Sequence, residues 1–170
     1  TLVRSPREVT RGQPSGRTSE IQRLIGRCLR AVVDRRSMGE RTITIDCDVL
    51  QADAGTRVAS ICAGFVALYD ALSKLRKSGV FDDLPITEHM AAVSIVQING
   101  QLLLDPNYSE DSQAEMDSNI VLTESGKILE LQMTSEAKPY DPTKLNDLML
   151  LANKGIKEII GMQIDCLNRR

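Results

Sequence analysis

The chain has 170 residues, 42% of them apolar and 26% charged, with a formal net charge of −2. That length suits one globular domain with its own core, and the composition lies away from the disordered and membrane classes. No apolar run approaches membrane-spanning length and the opening Thr1-Leu2-Val3-Arg4 has no signal-peptide layout, so a cytoplasmic setting is expected.

Charge is unevenly placed. Residues 1–36 hold nine arginines against three acids, whereas residues 105–117 hold five acids and no base. Pro6, Gly12, Pro14, Ser15 and Gly16 interrupt any helix or strand over residues 1–16, which are expected as a basic arm ahead of a domain of 17–170. Such an arm suits a polyanion, although arginines on helices also serve as a solvated face.

From Thr18, expected as the N-cap, Ile21, Leu24, Ile25, Cys28, Leu29, Val32 and Val33 follow helical spacing and predict a first helix over about 19–36. Arg41 to Leu50 alternates, with Ile43, Ile45, Cys47 and Val49 on one side and Thr44, Asp46 and Asp48 on the other, as in a half-buried strand. Gln51 to Arg57 turns the chain into a second helix that Ser78-Gly79 stops. Asn99-Gly100 between two apolar runs predicts a tight hairpin, and Glu124-Ser125-Gly126 predicts another. Asp141-Pro142 opens a last helix, which Gly155 is expected to weaken. Together these elements predict an α+β fold with helices packed on a mixed or antiparallel sheet.

The cysteines Cys28, Cys47, Cys62 and Cys166 are scattered without a CxxC pair and are expected to be reduced. A single histidine, His89, is expected at the surface, and it leaves no basis for a hydrolase triad or a zinc site. Two helix starts carry anion-binding chemistry: Gly16-Arg17-Thr18 and Gly55-Thr56-Arg57. Unpaired helix N–H groups, a glycine that admits an anion and a forked cation suit a phosphate, while Thr18 and Thr56 also suit plain N-caps. Neither matches a nucleotide-binding loop. The acidic stretch with Asp105, Glu110, Asp111, Glu115 and Asp117 offers carboxylates for Mg²⁺. As a calcium loop it fails, because Glu110 and Met116 stand where glycine and glutamate are required.

Three strings carry a resemblance: Gly16-Arg17-Thr18-Ser19-Glu20-Ile21-Gln22-Arg23-Leu24-Ile25, Thr42 through Ser60 with Asp46-Cys47-Asp48 and Gly55-Thr56-Arg57, and Glu110-Asp111-Ser112 with Met116-Asp117-Ser118-Asn119. The chain resembles the ribonuclease PH family. The resemblance implies a ribosomal protein S5 domain 2-like fold and a phosphate-dependent 3′-to-5′ exoribonuclease that trims transfer RNA precursors and other RNA, releasing nucleoside diphosphates. It implies inorganic phosphate as co-substrate, Mg²⁺ or Mn²⁺, and a homohexameric ring built as a trimer of dimers. By its motifs, Arg17, Gly55, Thr56 and Arg57 hold the phosphate; Asp111 and Asp117 are catalytic and metal-binding, with Asp105 a weaker candidate; Arg4, Arg7 and Arg11 contact RNA. The family's opening segment is not matched, and Pro14-Ser15-Gly16 stands where the family more often has Gly-Gly. The alternative is a noncatalytic RNA-binding or scaffold subunit of an exosome-like ring, against which stands the joint presence of Arg17, Thr56, Arg57, Asp111 and Asp117. A small-anion binding module leaves the acidic stretch unexplained.

Overall fold

A computed structural model describes residues 8, 12–136 and 138–169. Its centre is a four-stranded antiparallel sheet in the order β2-β1-β3-β4, formed by β1 (Met90–Ile98), β2 (Gln101–Leu104), β3 (Met116–Thr123) and β4 (Ile128–Ser135). Asn99 and Gly100 turn the first hairpin with φ of 50° and 78°, the pair of positive angles that lets a two-residue loop follow the twist of its strands.

β1 is buried from Met90 to Val96 because helices cover both faces of the sheet. Met90, Ala92 and Val121 pack with α1 (Gly16–Ala31) and α3 (Thr56–Lys77), through Leu24, Cys28, Ile61 and Phe65. Ala91, Val93, Ile95, Ile120 and Leu122 pack with α5 (Leu145–Asn168), through Leu148, Ala152 and Ile156. A strand buried on two sides reads as a continuous apolar run, which is how β1 looks in sequence.

Several expectations change. α1 starts one turn earlier than expected, capped by Ser15, whose Oγ accepts from the Thr18 N–H at 3.2 Å, so Thr18 lies inside the helix. It stops at Ala31 instead of 36. There the backbone is claimed by the stretch before β1: Asp34 N–H donates to Pro85 O, Thr87 N–H donates to Val32 O, and Val33 bridges Ile86. Asp34 then caps the short α2 (Arg35–Met38). Residues 41–49 pack Ile43, Ile45 and Cys47 against the core, but among the described residues they join no strand ladder.

α3 has 22 residues and is long and apolar enough to cross a membrane, contrary to the reading of the sequence. Here Ile61, Phe65, Leu68 and Leu72 are buried in the core. Asp141 caps a 3₁₀ turn (Pro142–Lys144) that leads into α5. Gly155 does not merely weaken α5; it brings that helix onto the sheet, since a Cβ there would lie 2.8 Å from Leu104 Cδ2 and 3.3 Å from Val93 Cγ1. His89 is not a plain surface residue either. Its ring stacks on Tyr69 with centroids 5.5 Å apart, meets Phe65 edge-on, and its Nδ1 lies 3.4 Å from Glu124 Oε2. All four cysteines are free, and burial pushes the thiols of Cys28 and Cys62 up to about 11.

Candidate functional site

The two helix starts singled out in the sequence prove unequal. At α1, Glu8 reaches back so that its Oε2 accepts from Ser15 N–H at 2.8 Å and from Thr18 Oγ1 at 2.7 Å, and Ser15 supplies the cap. These hydrogen bonds, Ser15 N–H first, hold the Glu8 carboxyl below its ordinary value. A carboxylate of the chain thus already serves that end. At α3 the N-cap is Gly55, with φ of 70° in the left-handed region and no capping side chain. Thr56 is therefore not a plain N-cap but the first helical residue. The positive end of the α3 dipole and its first N–H groups are left for an anion.

Gly55 matters here for its conformation and its place. A Cβ on it would lie 3.9 Å from Ser94 Cβ, so the start of α3 lands on β1 at Ser94. Ser94 pairs with Asn119 of β3, which pairs with Gln132 of β4, and these three residues cross the sheet in one row. Asp117 sits two residues along β3, opposite Val96 and Thr134. Strand alternation puts it on the side of Val121, the side α3 covers.

Arg57 leans over this row. Its Nη1 donates to Gln132 Oε1 at 3.4 Å and lies 3.8 Å from Glu20 Oε1, and Gln132 Nε2 donates to the same Glu20 oxygen at 3.0 Å. Gln132 chiefly, then the charges of Arg57 and Arg17, hold the Glu20 carboxyl below its usual value. Arg57 lies against this carboxylate, and Arg17, three residues before Glu20 on α1, adds only a weaker attraction of charge.

Asp117 experiences the opposite balance. Burial pushes its carboxyl up, the charge of Asp111 adds to that and Glu136 adds a little, while Arg57 and a hydrogen bond with Ser94 partly offset it. Asp111 ends α4 (Tyr108–Asp111), a single turn closed by a reciprocal capping box between Asn107 and Glu110. That turn is tied to the loop before α3, because Tyr108 N–H donates to Asp53 Oδ1 at 2.7 Å. The acidic stretch is therefore a positioned turn, and Glu110 is occupied in its own cap. Asp105 takes φ of 56° and donates its N–H to Ser94 O, a role in the backbone turn.

Of the residues expected from sequence, Arg57, Gly55, Thr56, Asp111 and Asp117 come together, while Arg17 is linked to them only by its charge on Glu20. Arg4, Arg7 and Arg11 lie outside the described residues. Sequence reading missed Glu20, Gln132 and Ser94; nothing local marks them, since Glu20 and Gln132 are 112 residues apart. Among the described residues no three His, Cys, Asp or Glu side chains converge as a metal cage. The Asp111–Asp117 pair nevertheless fits a cation such as Mg²⁺, which commonly uses one or two carboxylates and takes its remaining ligands from water and substrate phosphates. The charge of Asp111 adds to the cost of ionising Asp117, and a cation beside them would lower it.

Residues 2–73 match the 3′ exoribonuclease family, domain 1, and residues 89–155 match domain 2 of the same family. Ribonuclease PH of Syntrophomonas wolfei is 52% identical over 163 residues, covering 96% of this chain and 68% of that protein. Ribonuclease PH of Neisseria gonorrhoeae is 53% identical over 168 residues, covering 99% and 69% respectively. The fold is also that of the Archaeoglobus fulgidus exosome with RNA bound to its active site, with a TM-score of 0.67 at 18% identity over 87% of this chain and 62% of that one. An archaeal exosome core gives a TM-score of 0.67 at 17% identity, over 88% and 64%. On identity, on both matched domains and on fold, the chain belongs to the 3′ exoribonuclease family, in its ribonuclease PH branch.

Proposed function

We propose that the start of α3 binds inorganic phosphate and uses it to trim the 3′ end of RNA. Phosphorolytic 3′-to-5′ trimming, with transfer RNA precursors as substrates, is the activity that membership of the ribonuclease PH branch supports. The observation that carries the reading at this site is an uncapped helix start with Arg57 on one side and the half-buried Asp117, beside Asp111, on the other.

In the reaction a phosphate oxygen attacks the phosphorus of the terminal phosphodiester. The bond from that phosphorus to the 3′ oxygen of the preceding ribose breaks, that oxygen gains a proton, and a nucleoside diphosphate leaves. The α3 N–H groups with Arg57 and Arg17 hold and orient the attacking phosphate, which removes most of the entropic cost of bringing it in line. Asp117, whose carboxyl burial and Asp111 push up, either donates a proton to the departing 3′ oxygen or helps to hold the metal. Mg²⁺ or Mn²⁺ would be held by Asp111 and, where it is ionised, Asp117, and would supply charge neutralisation at the scissile phosphate. Arg4, Arg7 and Arg11 add a basic arm for the RNA backbone. A hexameric ring, which the resemblance implies, and a cytoplasmic setting belong to the same reading.

The test is incubation of the protein with 3′-labelled RNA and Mg²⁺, with and without phosphate, beside an Asp111→Asn variant. Nucleoside diphosphate is expected only with phosphate, falling at least about a hundredfold in the variant. Nucleoside monophosphate released without phosphate sinks phosphorolysis. RNA that binds and is never shortened favours the scaffold reading.

A further inference from the structure

We propose that Gln132 of β4 and Glu20 of α1 form a brace that fixes the direction of the Arg57 guanidinium, making both of them positioning residues for phosphate capture. The inference rests on the reading of the α3 start as the phosphate site.

The Gln132 amide is used at both ends, with its oxygen toward Arg57 Nη1 at 3.4 Å and its nitrogen toward Glu20 Oε1 at 3.0 Å. Glu20 closes the triangle at 3.8 Å from the same arginine nitrogen. Three elements contribute one side chain each, so the triangle exists only when α1, α3 and β4 are docked. Both arginine contacts fall on Nη1, one of three guanidinium nitrogens, and a bidentate anion can engage the rest of the fork. An unbraced arginine must freeze several side-chain torsions when it binds, at a cost in entropy. A braced one has lost that freedom in advance. Glu20 adds a second effect: its charge attracts both Arg57 and Arg17 and offsets the repulsion between two guanidinium groups that approach one anion. Gln132 pairs with Asn119, two residues from Asp117 on β3, so the brace stands on the strand beside the one that carries Asp117.

The experiment measures inorganic phosphate binding by calorimetry, and separately the phosphorolysis kinetics, for the unaltered protein, Gln132→Leu, Gln132→Thr and the double variant Glu20→Gln/Gln132→Glu. Gln132→Leu is expected to weaken phosphate binding and raise the phosphate KM about tenfold, the scale of one hydrogen bond to a charged group. The kcat at saturating phosphate and the KM for RNA stay within about twofold, since neither touches the brace. Gln132→Thr, which keeps a strand-forming residue on β4, gives the same result should leucine disturb the edge. The double variant exchanges donor and acceptor across one contact and is expected to recover most of the phosphate affinity. Unchanged phosphate affinity in both single variants overturns the brace, as does a double variant no better than the single ones. Weakened phosphate binding in a protein that never shortens RNA upholds the brace and removes the exoribonuclease reading. Absence of phosphate binding by the unaltered protein removes both.

Discussion

Asp117 carries a charge that its surroundings oppose. Burial and the neighbouring Asp111 both raise its pKa above 3.8, so folding favours the protonated form. The stability from that preference is present at pH below the ordinary aspartate range and is lost as pH rises through the raised value. At neutral pH the ionised Asp117 is therefore a net burden on the fold. Asp117→Asn is expected to raise the melting temperature at pH 7, with the gain shrinking as pH approaches the ordinary aspartate value of 3.8, while trimming of RNA is lost. Thermal denaturation across that pH range checks it, and a variant that melts lower at pH 7 contradicts the assigned balance. At this scale the sequence revealed what a motif can hold. Arg17, Arg57, Asp111 and Asp117 stand beside helix starts and in an acidic stretch, where their chemistry is visible in neighbouring residues. Glu20 and Gln132 acquire meaning only when α1 settles over β4, and no local pattern announces that contact.

Elements whose signals are local were readable, and elements decided by a distant partner were not. The Asn99-Gly100 hairpin and the end of α3 at Ser78-Gly79 formed as their turn chemistry dictates. The end of α1 did not follow its apolar period, because Val32 to Asp34 exchange hydrogen bonds with residues 85–87 and leave the helix. Asp34, a good N-cap for α2, was the one local clue. Gly155 shows the same limit, since its role lies in the approach of α5 to β1 and β2. Gly155→Ala places a methyl 2.8 Å from Leu104 Cδ2, the end of a partly exposed side chain that can swing away. Alanine also returns about 1 kcal/mol of helix propensity, so that change is expected to be nearly neutral. Gly155→Val has no such escape toward Val93 and is expected to cost about 1–3 kcal/mol through overpacking. Urea unfolding of the two variants separates these outcomes, and equal midpoints remove the close-approach argument.

Across the whole molecule, the α+β class followed from the mixture of helical and alternating segments, but the two-sided covering of the sheet did not. A strand buried on both faces loses the alternation that would have shown its sides. The site spans the same breadth, drawing on α1, α3, α4, β3 and β4. It is complete only in the fully folded state, so a ligand there stabilises the whole fold. Phosphate at about ten times its Kd is expected to add about 1.4 kcal/mol, and to raise the melting temperature by a few degrees. Arg57→Gln is expected to abolish that shift. A variant that keeps the full shift places phosphate elsewhere.

His89 offers an experimental handle of another kind. It is the chain's one histidine, its ring lies against Tyr69 and Phe65, and it immediately precedes β1. Its two carbon-bound imidazole protons sit within the ring currents of those neighbours and are displaced from the positions of a solvated histidine. With no second imidazole and no tryptophan in the chain, an unlabelled proton spectrum carries an assignment-free signal for the contact between α3 and the start of β1. Return of those resonances to solvent values marks the moment α3 leaves the sheet, whether heat, acid or a substitution has moved it.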